Sequence, residues 1–159
     1  MSTVHLLCGL NGAGKSTYAR GLPAVRFGLD EWMLRLYPLR YDDPAYALHA
    51  TEVQELIWET AVQVLAAGVD VVLDWNCWSR ARRRQWRDRA VEAGFDVLLH
   101  HIDVRLEVAV ARAVDRRDPG SHEVDEAGVR HLAALFEPPV PDEDIEIRTV
   151  GSVLPGASG

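Results

Sequence analysis

Residues 9–17 read GLNGAGKST, and Lys15 within them is the one lysine of the chain; apart from histidine, every other basic side chain is arginine. Gly9, Gly12, Gly14, Lys15 and Ser16 fit the spacing G-x-x-x-x-G-K-[ST]. Glycines at those points let the backbone curl around a phosphate with its amide N–H groups turned inward. A helix starting at the end of the loop adds unpaired donors and a partial positive charge. The Ser16 hydroxyl suits Mg²⁺, and a compact ammonium at Lys15 suits the β- and γ-phosphates of a nucleotide. A planar guanidinium fork would fit so tight a loop poorly, which explains why lysine replaces arginine here. The candidate nucleotide contacts are therefore Gly9, Asn11, Gly12, Ala13, Gly14, Lys15, Ser16 and Thr17.

Asp74 ends the apolar run VVLD. A carboxylate there, on a strand beside the loop, can join Ser16 at a magnesium ion; it can equally start a loop or cap the helix after Trp78. Trp75, Asn76 and Trp78 follow at the sheet edge, where an aromatic wall with an amide would suit a hydroxyl-bearing substrate. Core anchoring explains the two tryptophans as well, and it is the preferred reading of Trp86. Six arginines lie between 80 and 89 and spread around the helix, Arg80, Arg84 and Arg87 on one side, Arg82 and Arg89 on another. That spread points to a solvated face rather than a phosphate groove. His100 and His101, being adjacent on a strand, point to opposite faces and cannot form a metal pair.

The elements that position these groups follow from the pattern of apolar runs. TVHLLCG, AVRFGLD, VDVVLDW, FDVLLHHID and IEIRTV read as buried strands. Helices are expected over 14–23, 31–38, from about Asp43 to 67, 78–93, 104–117 and on to about Phe136. A loop at 118–122 and the turn EPPVPDED separate the last elements. Strands alternating with helices give a three-layer α/β/α sandwich around a five-stranded, mainly parallel sheet. Ligands bind such sheets at the carboxyl ends of the strands, where the loop, Asp30, Asp74 and Asp103 all fall.

The totals set limits. A chain of 159 residues, 48% apolar and 26% charged, reads as one soluble domain over 1–150, with a loose, linker-like tail at 151–159. The net charge of −7 argues against a broad nucleic-acid surface. No run is long enough for a membrane span and no leader is visible, so a cytoplasmic address is expected. Cys8 and Cys77 belong to no metal spacing and are read as reduced thiols. Oligomeric state is not readable.

With its lysine committed to the loop, the chain has no Asn-Lys-x-Asp guanine motif, which leaves a small ATP-using kinase. At this point GLNGAGKST, FGLDEW, VVLDWNCWSRARR, DVRLEVAVARAVDRR and FEPPVPDED together resemble the P-loop phosphotransferases related to zeta toxins, chloramphenicol phosphotransferase and polynucleotide kinase. Within them the chain is most similar to bacterial ATP-binding predicted kinases. The resemblance covers about 3–150 and implies a P-loop NTPase, nucleotide-kinase-like fold, with ATP and Mg²⁺ as cofactors and a small-molecule hydroxyl as acceptor. It also implies that Asp30 is the base towards that hydroxyl, where a helix cap is the plainer reading, and that Glu31 is a weaker stand-in. Arg112, Arg116 and Arg117 match an arginine-bearing lid, Arg112 and Arg116 as catalytic cations and Arg117 at the nucleotide. The resemblance sets the FEPPVPDED turn near the adenine. A polynucleotide 5′-hydroxyl kinase and a nucleotide-binding switch without transfer are the alternatives.

Overall fold

The computed structural model describes residues 1–115 and 124–151. Its elements, in chain order, are β1 Thr3–Gly9, α1 Lys15–Arg20, β2 Val25–Gly28, α2 Leu29–Leu36, α3 Tyr46–Ala66, β3 Val71–Asn76, α4 Arg80–Glu92, β4 Asp96–Ile102, α5 Leu106–Val114, α6 Glu126–Leu135 and β5 Glu146–Val150. The strands lie in the order β2-β3-β1-β4-β5, and every neighbouring pair is parallel. The chain runs from central β1 out to β2, back to β3, then across to β4. That reversal opens a crevice at the carboxyl end of β1, beside β3.

The strands are buried on both sides, which is why their sequences are continuously apolar. Leu6, Leu73 and Leu99 pack on one face against Met33 of α2, Ile57 and Leu65 of α3, and Trp86 and Ala90 of α4. Each large aliphatic side chain buried there contributes about 1.5–3 kcal/mol. On the other face Leu7 and Val72 meet Ala19 of α1. Cys8 and Cys77 are free and fully buried, and burial pushes both thiols up to about 12. They stay protonated and unreactive.

Helix boundaries moved where local hydrogen bonding offered something better. The Asp43 carboxylate accepts from the Ala45 amide at 2.9 Å and closes a turn, so α3 starts only at Tyr46. Helix α2 starts early, with Gly28 as its N-cap, and Asp30 lies inside the first turn instead of capping it. Ser79, not Asp74, caps α4, its hydroxyl accepting from the Arg82 amide at 3.2 Å. Helix α5 ends at Val114, short of the expected 117.

The arginine-rich helix α4 corrects the expectation of a solvated face. Arg83 is 1% exposed. Its Nε and Nη2 donate to the two Glu143 carboxylate oxygens at 2.7 and 2.8 Å, and its Nη1 donates to the carbonyls of Cys77 and Glu137. Arg87 donates to the Glu143 carbonyl, and Arg80 pairs with Asp142. Arg89 lies over Trp58 and Trp86 and donates to Glu55. The arginines thus anchor the turn before β5 along α4, away from the phosphate loop; only Phe136, just before the turn, reaches the main cavity.

A buried polar chain ties α1 to the sheet. Asp70 Oδ1 accepts from the Thr3 amide, and Asp70 Oδ2 lies 3.4 Å from His5 Nε2. His5 Nδ1 is 2.8 Å from His100 Nε2, and His100 Nδ1 is 2.8 Å from the Tyr18 hydroxyl. A carboxylate can only accept, so every hydrogen in the chain points one way, from Tyr18 through both neutral imidazoles to Asp70. Burial, then His5 and Arg148, pull His100 down to about 4. The unfolded chain therefore takes up a proton near pH 6.5 that the folded chain refuses, and stability falls as pH drops through that window. Between pH 7 and 5 the loss is expected to be about 2 kcal/mol. Urea unfolding at both pH values, with His100→Gln showing a smaller drop, checks this.

Candidate functional site

A cavity of about 260 Å³ lies at the crevice beside β1 and β3. Gly9, Asn11, Gly12, Gly14, Lys15 and Ser16 line one side, and Asp30, Asp74, Asn76 and Trp78 line the other. Most of the residues chosen from the sequence thus share one space, but several do not. Ala13 is buried and spends its amide on the Leu10 carbonyl at 3.0 Å, so that N–H cannot face a phosphate. Thr17 is exposed, and Thr17 and Arg112 are not among the lining residues. Arg116, Arg117, the 118–122 loop and residues 152–159 of the tail lie outside the described residues.

Trp75 requires a correction too. It is only 7% exposed, and its ring meets Trp86 edge-on, with centroids 5.0 Å apart. Alternation along β3 turns it away from Asp74 and Asn76, so the ring is part of the core, and the substrate-side aromatic is Trp78. The Asn76 amide nitrogen donates to the Gly9 carbonyl at 2.8 Å, tying β3 to the loop. Its Oδ1 is buried without a hydrogen-bond partner among the described residues. His100 is core, while the half-buried His101 ring lies 5.9 Å from Phe136.

The loop is held in shape by close contact. Gly12 has φ +86°, and a β-carbon there would come within 2.1 Å of the Ala109 carbonyl oxygen. Helix α5 therefore rests directly on the loop, and no other residue type fits. The Lys15 ammonium donates to the Leu10 carbonyl at 2.7 Å and the Gly9 carbonyl at 3.2 Å. Ser16 Oγ donates to Asp74 Oδ1 at 3.4 Å, which brings a hydroxyl and a carboxylate together beside the loop.

Ser16 and Asp74 are hard oxygen donors and fit Mg²⁺. Among the described residues no group of three or more His, Cys, Asp or Glu could hold a metal. The remaining ligands must come from phosphates and water, the usual arrangement for magnesium at a nucleotide.

Sequence reading missed two arginines and an apolar wall. Arg26 of β2 donates to Asp74 Oδ2 at 2.7 Å and to Glu31 Oε1 at 2.8 Å. Arg20 of α1 pairs with Glu31 at 3.3 Å. Hydrogen bonding from Arg26 holds the Glu31 carboxyl below the usual carboxylate range. Both arginines were discoverable: Arg26 shares a strand face with Gly28, and Arg20 is one helical turn from Ser16. The wall of Leu132, Leu135 and Phe136, from α6 and its end, had no local signal.

Residues 4–139 match the AAA domain family. The chain belongs to that family. Its AAA domain spans β1 to the turn after α6 and has the fold of the P-loop kinases. Among solved structures it is similar to a sugar kinase from Janibacter sp. HTCC2649 (TM-score 0.66, 20% identity, covering 98% of this chain and 88% of that one). Kti12 of Chaetomium thermophilum, solved with ADP-AlF3, superposes with TM-score 0.68 at 16% identity, covering 93% and 88%. A chain of the Pnkp1/Rnl/Hen1 RNA repair complex gives TM-score 0.69 at 19% identity over 84% of this chain; the match spans 43% of that longer chain. No curated protein is close enough to count as a match. No helix among the described residues is long and apolar enough to cross a membrane.

Proposed function

We propose that this AAA-family protein is an ATP- and Mg²⁺-dependent kinase that moves the γ-phosphoryl group to a hydroxyl of a small-molecule acceptor. One observation carries the reading: the loop with Lys15 and Ser16 and the Asp30 carboxylate line the same cavity, next to Asn76 and Trp78. Loop amides and Lys15 hold the phosphates, and Ser16 with Asp74 holds the metal's inner or water shell. Magnesium, when bound, offsets charge on the phosphate oxygens. Asp30 orients the acceptor hydroxyl and takes its proton as that oxygen bonds to the γ-phosphorus and the bond to the bridging oxygen of ADP breaks. Arg112, with Arg116 and Arg117, closes over the transferring group.

The cavity's composition supports a small, uncharged acceptor over a polynucleotide. Arg20 and Arg26, the described arginines that line it, are already paired with Glu31 and Asp74. Trp78, Leu132 and Phe136 offer apolar surface, and Asn76 Oδ1 can accept one hydrogen bond.

Transfer from γ-labelled ATP to a panel of sugars, nucleosides, amino alcohols and a 5′-hydroxyl oligonucleotide tests this. Asp30→Asn is expected to lower kcat on the acceptor found by about 10², with ATP affinity kept. Transfer only to the oligonucleotide, weakening steeply with salt, would favour the polynucleotide reading. If no acceptor is labelled and ATP turnover ignores Asp30→Asn, the protein is a nucleotide-binding switch instead.

A further inference from the structure

Arg26 stands two residues before Gly28 and on the same face of β2, and the register pairs Arg26 with Val72 and Gly28 with Asp74 on β3. Its guanidinium runs along the strand towards the cavity. Nε donates to Asp74 Oδ2 at 2.7 Å, and Nη2 is 2.6 Å from the same oxygen while donating to Glu31 Oε1 at 2.8 Å. The path crosses Gly28, where a β-carbon would lie 2.9 Å from Nη2 and 3.2 Å from Cζ. The glycine in FGLD thus leaves room for an arginine from its own strand. The Arg26 side chain is 17% exposed and that of Asp74 5%.

This arrangement divides the Asp74 carboxylate. Oδ1 accepts from Ser16 on the phosphate side, and Oδ2 is covered by two N–H groups of Arg26. We propose that Arg26 is a positioning residue that acts as a fixed internal cation. It occupies the edge of Asp74 that would otherwise join Glu31 in recruiting a divalent ion, so that magnesium binds only together with the nucleotide's phosphates. The inference deepens the kinase reading and rests on it for the metal's purpose.

The physics is direct. Asp30, Glu31 and Asp74 place three carboxylates around one cavity. A single nitrogen touches both Glu31 and Asp74, so their two oxygens are close enough for one ion to bridge. Without the arginine, a divalent ion would find oxygen ligands at about 2.1 Å on the side of Asp74 away from the loop. Guanidinium keeps its charge at all working pH values and has no lone pair to give a metal, which makes it a permanent occupant.

Nucleotide-free Mn²⁺ binding, followed by electron paramagnetic resonance, tests the idea without any phosphoryl transfer. The wild type is expected to bind weakly, and Arg26→Gln at least about tenfold more tightly, from the loss of a positive charge beside two negative ones. Arg26→Lys should stay near the wild type, because an ammonium still neutralises the pair. Adding Asp74→Asn to Arg26→Gln should return binding to the wild-type level. If Arg26→Gln binds Mn²⁺ no better than the wild type, or keeps its gain without Asp74, the proposal is wrong. Should Arg26→Gln not fold, Gly28→Ala decides: it displaces the guanidinium, so tighter Mn²⁺ binding is expected and unchanged binding overturns the proposal. A failed acceptor panel would remove the kinase reading and leave this metal measurement readable.

Discussion

Lys15→Ala is expected to lower kcat/KM for phosphoryl transfer by about 10³ and to abolish the thermal shift given by ATP–Mg²⁺. The ammonium reaches the Leu10 and Gly9 carbonyls over the loop, a position from which it can swing to the β- and γ-phosphates. Its removal takes away a full charge where the triphosphate's own charge concentrates. Lys15→Arg is the sharper experiment. If the loop excludes a planar fork, arginine should fail nearly as badly as alanine, although it keeps the charge. An arginine variant with near-normal transfer would show that charge alone matters and would undo the explanation for the one lysine. Isothermal titration with ATP–Mg²⁺ separates lost binding from lost chemistry.

Arg83→Ala should cost about 3–5 kcal/mol of stability, because it strands the buried Glu143 carboxylate and two carbonyls without donors. For a chain of this size that corresponds to a fall in Tm of roughly 10 °C. Pairing Arg83→Met with Glu143→Leu removes both charges, and most of the loss should return. If the single substitution costs under about 1 kcal/mol, the pair is acting as a surface ion pair, and the burial described above is wrong. Both values follow from urea denaturation read by tryptophan fluorescence, with Trp58, Trp75 and Trp86 clustered close by.

The parts of this molecule legible in sequence are those set by short-range rules. The glycine spacing, the strand before it and the helix after it identify the loop, and the apolar runs identify each strand of the sheet. Asp30 and Asp74 were placed correctly because strand ends deliver their last residues to one edge of a parallel sheet. Trp75 was misassigned although the signal was present: a period of two puts it opposite Asp74 and Asn76. Arg83 was different. Its partner Glu143 is sixty residues away, and helical periodicity describes a face without naming what covers it. The paired state of Arg26 depends on Gly28, whose missing side chain reads in sequence merely as a break.

The carbonyl of Ala109 sits where a side chain on residue 12 would begin. Loop and α5 therefore form a single mould, cast from segments almost a hundred positions apart. Any bulk added at position 12 must be met by withdrawing α5, so neither half can be redesigned or grafted by itself. Transplanting the nine-residue motif alone into another scaffold would carry over the letters and lose the contour.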